Sequence, residues 1–217
     1  MKKTTTFVLL LLSFTVFSQV NTQAQVPYQE GLHYTRLDPV FDTETKDQVI
    51  IYEFFGYKCP HCAHFEVLEA PWHKNLPKNV KLVRVPVVFQ RGWDVLAKAY
   101  YTAETMGIAE QTHRAMFDAI HKEHIKFRTI EEVAQWYAEK FNVDKEAFLS
   151  TANSFMIDSK IRQSDNMMRK MKITSTPSIV INGKYAPNKK VLKSFAAVLD
   201  LTSFVAKKEA KEMGLTQ

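Results

Sequence analysis

Two periods of hydrophobic residues alternate along this chain. Val49-Ile-Ile-Tyr-Glu-Phe-Phe55 is a run of β-branched and aromatic residues broken by a single charge, the pattern of a central strand buried on both faces. It stops at Gly56, and Lys58-Cys59-Pro60-His61-Cys62 follows. Pro60 suits the first position of a helix, where a missing N–H costs nothing. Phe65, Leu68 and Trp72 continue at helical spacing, with Pro71 marking a kink or break. Val80 to Phe89 reads as a second long strand, so strand, helix and strand predict a right-handed parallel crossover. Leu32 to Leu37 suits a short edge strand.

From Trp93 to about Lys170 the period is helical throughout. Trp93, Leu96, Tyr100 and Tyr101 share a face, with Gly107 as a cap, and His113, Met116, Phe117 and Ile120 mark a second helix. Thr129-Ile-Glu-Glu132 is a capping box that opens a third, running through Val133, Trp136 and Tyr137. Asp144 starts a fourth, and Ser154 to Met171 forms a long fifth. Strand character returns in Ser178-Ile-Val-Ile181 with a turn at Asn182-Gly183, and a last helix runs from about Lys189 to Lys208. The final strand needs a sheet to join, so the helical stretch is an insertion. The expected division is an α/β unit made of residues 25–90 and 165–217, interrupted by an all-helical domain at 91–164.

The N-terminus has a different purpose. Met1-Lys2-Lys3 precedes an apolar run from Phe7 to Phe17, which fits a signal peptide covering residues 1–24. The run is shorter than the roughly 20 residues a membrane-crossing helix needs. Thr22-Gln23-Ala24 offers small residues at the cleavage positions, placing the mature start near Gln25; an uncleaved anchor is the alternative. No cysteine lies in the segment to carry a lipid. The expected product is soluble and exported.

Composition changes this picture little. Among 217 residues, 46% hydrophobic and 24% charged with six Gly and eight Pro exclude a disordered or fibrous chain. Without the leader, 27 basic and 23 acidic residues leave a net charge of +4. Apart from pairs such as Lys189-Lys190 and Lys207-Lys208, the basic residues are scattered among acids, so nucleic acid is not an expected partner.

The chemistry concentrates at the two cysteines, Cys59 and Cys62. A disulfide across two intervening residues closes too small a loop to constrain an unfolded chain. At a strand-to-helix turn, however, the positive helix end favours a thiolate on Cys59, the attacking species in thiol–disulfide exchange, and Cys62 can resolve the mixed disulfide. His61 can donate to the sulfur or repel charge near it. Whatever stabilises the thiolate stabilises the reduced form and makes the disulfide more oxidising. Zinc is the competing chemistry, with His61, His64 or His73 as further ligands, but a structural site wants four ligands and there is no second cysteine pair. Neither a metal nor another cofactor is expected.

With Phe54-Phe-Gly-Tyr-Lys-Cys-Pro-His-Cys62 and the later Thr176-Pro177, the sequence closely resembles the DsbA family of periplasmic disulfide oxidoreductases. The resemblance covers the whole mature chain and implies a thioredoxin fold with an inserted all-helical domain. Its specific part is Cys-Pro-His-Cys, where thioredoxins usually carry Gly-Pro and glutaredoxins Pro-Tyr between the cysteines. It implies Cys59 as nucleophile, Cys62 as resolving thiol, His61 as stabiliser of the thiolate and Pro177 as a cis-proline against the sulfurs. Thr176 would offer its backbone to an extended substrate. Glu53 and Arg84 would be the buried acid and its basic partner beneath the site. Two departures stand out: Thr176 replaces the valine of the best-known member, and Pro86 replaces a histidine.

The resemblance implies an oxidase that donates its disulfide to unfolded or partly folded exported proteins with free cysteines. A DsbB-like membrane quinone reductase would reoxidise it in the periplasm. An isomerase or reductase is the enzymatic alternative. Periplasmic isomerases resembling this fold carry a dimerisation domain before the active site, and the 34 residues from Gln25 to Lys58 are too few for one, so a monomer is expected. A chaperone-like binding module is the reading from another class. Met167, Met168 and Met171 suit either the core or a substrate groove.

Overall fold

The computed structural model describes residues 28–43 and 45–215. The leader expected at residues 1–24 lies outside the described residues. Among those described, no helix is long and apolar enough to cross a membrane.

A five-stranded mixed sheet has the order β1-β5-β4-β2-β3, where β1 is Tyr34–Arg36, β2 Val49–Phe55, β3 Val80–Pro86, β4 Ser178–Ile181 and β5 Tyr185–Pro187. β2 and β3 run parallel, connected by helix α1 (Pro60–His73), while β4 pairs antiparallel with β2. Every residue of β2 is buried, as its near-continuous apolar run predicts for a central strand. One face, through Val49 and Ile51, packs with Phe65 of α1 and with Val198 and Leu201 of α7 (Phe195–Glu212). The other face, through Ile50, Tyr52 and Phe54, packs with Met167 and Met171. Both methionines are therefore core residues.

Five helices lie between β3 and β4: α2 (Asp94–Thr105), α3 (Ala109–His121), α4 (Ile130–Phe141), α5 (Lys145–Ala152) and α6 (Phe155–Lys170). Their apolar faces converge on Tyr100, Phe117, Tyr137 and Phe148, and this cluster continues into Phe55, Cys59 and Cys62. The helical insertion thus supplies one wall of the cysteine site. The Thr129 and Asp144 caps form as their sequences predict, accepting from the Glu132 and Ala147 N–H groups.

Three local expectations need correction. Pro71 does not break α1, which continues through it to His73. The final helix begins at Phe195 and not near Lys189: Ser194 caps it by accepting from the Ala197 N–H, and residues 188–194 form a separate connection. Strand β5 escaped the sequence reading because it is three residues long and ends in proline.

Candidate active site

β2 ends against the helical insertion. Gly56 is needed there, since a Cβ at that position would lie 2.3 Å from the Trp93 ring. The Cys59 N–H then donates to the Gly56 carbonyl at 2.9 Å, closing the turn that leads into α1. Two histidines of α3 brace this turn. His121 Nε2 donates to the Tyr57 carbonyl at 2.7 Å, and the buried Tyr57 hydroxyl bonds to His113 Nδ1 at 2.8 Å. Burial holds His113 well below the usual histidine pKa, and therefore neutral.

Cys59 is the N-cap of α1, with Pro60 at the first helical position, and its sulfur accepts the Cys62 N–H at 3.4 Å. Both cysteines are buried and both are free. The Cys59 pKa is lowered to about 5, first by hydrogen bonding from the Cys62 thiol, then by Thr176 and the N–H groups of Cys62 and His61, against the opposing effect of burial. Cys62 moves far the other way, because its hydrogen bond to Cys59 and its burial both favour the thiol. The His61 ring is exposed, and His61 acts on the sulfur through its backbone N–H.

The Thr176-Pro177 peptide is cis. It brings the Thr176 carbonyl oxygen to 3.5 Å from Cys59 Sγ, where it accepts from the thiol. Pro177 is buried and Thr176 half-buried beside the sulfurs.

Beneath the cysteines lies a buried charge cluster. The parallel register of β2 and β3 sets Glu53 opposite Arg84, with Arg84 Nε 3.4 Å from Glu53 Oε2. Arg84 also donates to Glu69 Oε2 and Glu110 Oε1, both at 2.8 Å, and lies 3.9 Å from Glu66 Oε2. Glu66 in turn is 3.5 Å from His113 Nε2. Glu53, Glu66 and Glu69 are almost fully buried around one guanidinium, whereas Glu110 reaches solvent and sits 3.8 Å from His73. Burial pushes Glu53 up to about 8 and Glu66 up to about 9, with neighbouring carboxylates adding to the shift and Arg84 opposing it. Two carboxyl groups therefore hold protons at neutral pH.

Residues 42–201 match a family model described as thioredoxin. DsbA of Pseudomonas aeruginosa PAO1 is 40% identical over 158 residues, covering 73% of this chain and 74% of that protein. DsbA of Pseudomonas syringae pv. tomato is 33% identical over 166 residues, covering 76% and 77%. The crystal structure of P. aeruginosa DsbA matches with a TM-score of 0.80 at 36% identity, covering 86% of this chain and 97% of that one. This chain belongs to the DsbA family. It is a thiol:disulfide oxidoreductase with a thioredoxin fold and a helical insertion.

In this DsbA-family chain, the structure brings Cys59, Pro60 and Cys62 at the start of α1 together with Thr176 and Pro177 before β4. Glu53 and Arg84 lie in contact below them. Glu66, Glu69 and His113 belong to the same site and escaped the sequence reading. Their signal was the spacing from Cys62: Glu66 and Glu69 follow it by four and seven residues on one helix face. That buried face holds Cys62, Phe65, Glu66 and Glu69, while Leu68 and the neighbouring Val67 are exposed. The expected face of Phe65, Leu68 and Trp72 is thus only partly buried. His64 is exposed, His73 sits beside Glu69 and Glu110, and no cluster of metal ligands occurs among the described residues.

Proposed function

We propose that this protein is a periplasmic disulfide oxidase, a reading carried by Cys59: an N-capping thiol whose environment favours the thiolate. A client thiolate attacks Cys59 Sγ of the Cys59–Cys62 disulfide. The Cys59–Cys62 bond breaks, a client–Cys59 bond forms, and Cys62 leaves as a thiolate. Burial favours the thiol form of Cys62, so it takes up a proton, and Glu66, one turn along α1, is a protonated carboxyl suited to supply it. A second client thiolate then attacks the client sulfur and expels Cys59. The lowered Cys59 pKa makes it the better leaving group, so the reaction ends with an oxidised client and a reduced enzyme.

In this reading, Thr176 beside Pro177 presents its backbone to an extended client segment, and Glu53 with Arg84 supports the proton balance. The clients are exported proteins with free cysteines, reached as a monomer behind a leader at residues 1–24, and reoxidation comes from a DsbB-like membrane quinone reductase. Residues 25–90 and 165–217 act as the redox domain, and 91–164 as the helical domain covering it. No cofactor or metal takes part.

Equilibration of the mature protein in glutathione buffers tests the direction of transfer. A reduction potential well above the thioredoxin value of about −270 mV supports the oxidase. A potential near that value assigns a reductase. The Cys59→Ala, Cys62→Ala double variant separates both from a binding module, because oxidation of a reduced client should vanish while any chaperoning persists. Client oxidation at the wild-type rate would overturn the catalytic assignment.

A further inference from the structure

Lys189 stands in the connection between β5 and α7, on a turn whose base is fixed to the edge of the sheet. The Asn188 N–H donates to the His33 carbonyl at 2.8 Å, Asn188 Nδ2 to the Leu32 carbonyl at 2.9 Å, and the Lys190 N–H to Asn188 Oδ1 at 3.2 Å. From this anchored turn Lys189 reaches the segment before β4. Its ammonium donates to Ser175 Oγ at 2.8 Å, the Pro177 carbonyl at 3.1 Å and Ser178 Oγ at 3.2 Å. Three acceptors match the three N–H bonds of an ammonium group. Ser178 Oγ also donates to the Ser175 carbonyl at 2.7 Å, which closes the loop on itself.

The grip encloses Thr176, whose carbonyl faces Cys59 Sγ. The loop also lines a cavity of about 220 Å³, bordered by Phe65, Met171, Pro177, Lys189 and Phe195. Close packing therefore leaves part of the loop unsupported, and polar bonds from Lys189 hold it. Although the lysine side chain is exposed overall, its ammonium is partly desolvated, which lowers its pKa. Both cysteine sulfurs are near enough for negative charge on them to act in the opposite direction.

We propose that Lys189 is a positioning residue for the redox pair: it clamps the Ser175–Ser178 loop against Cys59, and its positive charge favours the Cys59 thiolate and hence the reduced protein. The proposal rests on the reading of Cys59–Cys62 as the redox pair. Across from the loop, the first turn of α1 contributes Cys62 and the exposed His61. Lys189 brings a cation from the loop side, which the Cys-Pro-His-Cys motif does not encode.

Lys189→Met keeps the length of the side chain and removes its charge and donors, whereas Lys189→Arg keeps both. The pH dependence of thiolate absorbance gives the Cys59 midpoint, and glutathione equilibration gives the redox equilibrium. For Lys189→Met the midpoint should rise, and the equilibrium should shift about three- to tenfold toward the disulfide, which corresponds to about 15–30 mV in a two-electron couple. Lys189→Arg should recover most of both values. An unchanged midpoint and equilibrium in Lys189→Met would overturn the proposal, as would equal shifts in both variants. Circular dichroism of each variant separates these results from loss of fold. If the wild-type pair itself failed to equilibrate with glutathione, the redox assignment of Cys59–Cys62 would fall instead.

Discussion

Cys59 Sγ lies 3.5 Å from the carbonyl oxygen of Thr176, a residue 117 positions later in the chain. This carbonyl accepts from the thiol, whereas hydrogen bonding by the Thr176 side chain favours the ionised form of Cys59. In the proposed reaction a client sulfur approaches the same small space, so the loop before β4 would bear on both the thiolate and the client.

Thr176→Val removes the hydroxyl and leaves the backbone carbonyl. The Cys59 midpoint should rise from about 5 by up to roughly one unit, and the disulfide should become correspondingly less oxidising, by about 30 mV per unit. Alkylation rate against pH measures the midpoint. A fall in the midpoint would show that the hydroxyl stabilises the thiol.

The buried carboxyls predict opposite pH trends for the two redox forms. Glu53 and Glu66 rise from 4.5 to about 8 and about 9 on folding, so the stability they contribute is present below 4.5 and is lost as pH rises through their folded values. For each proton the fold retains, the oxidised protein should lose about 1.4 kcal/mol per pH unit across that window. Cys59 is lowered from 9.0 to about 5, so its thiolate stabilises the reduced fold above 9 and loses that effect as pH falls through 5. Urea denaturation of both forms from pH 5 to 9 should show the oxidised form declining and the reduced form gaining relative to it. A Glu53→Gln variant should flatten the oxidised profile, and an unchanged slope would remove Glu53 from this account.

Arg84 faces three buried carboxyl groups and the exposed Glu110. Arg84→Met should cost about 3–5 kcal/mol at pH 7, the usual consequence of removing one partner from a buried ion pair. Much of the loss should be recovered at pH 5, where a carboxylate left without its cation takes up a proton more readily. Arg84→Lys keeps the charge without the planar fork and should fall between. A loss that is the same at both pH values would point to packing as its cause.

Gly56→Ala places a methyl group 2.3 Å from Trp93 Cζ3. Overpacking of this kind costs about 1–3 kcal/mol. Because Gly56 also accepts the Cys59 N–H, client oxidation should fall together with the melting temperature. In a Trp93→Leu background the same substitution should cost less, and a cost that stays the same would place the clash elsewhere.

Long periodic runs were legible because their local preference and tertiary burial agree. The pattern of β2 and the capped starts of α4 and α5 show this most clearly. α1 shows where local pattern misleads. Val67 and Leu68 are exposed on it while Glu66 and Glu69 are buried, a reversal of ordinary amphipathicity that Arg84 on β3 and His113 on α3 make tolerable. A helical pattern cannot reveal a cation arriving from another strand. Lys189 is a similar case: in sequence it looked like the solvated start of a helix, and the fold turned it toward the cis-proline loop.

The sequence alone determined the family and the fold class, and it singled out Cys59 and Cys62 as the candidate reactive pair. Those depend on residue order within short segments: a strand, a turn, Cys-Pro-His-Cys and an uninterrupted series of helical faces. The tertiary structure decided the electrostatic surroundings of the pair. Thr176, Lys189, His113 and Arg84 act across the fold, and the influence of a charge or dipole depends on distance and burial, which residue order does not state.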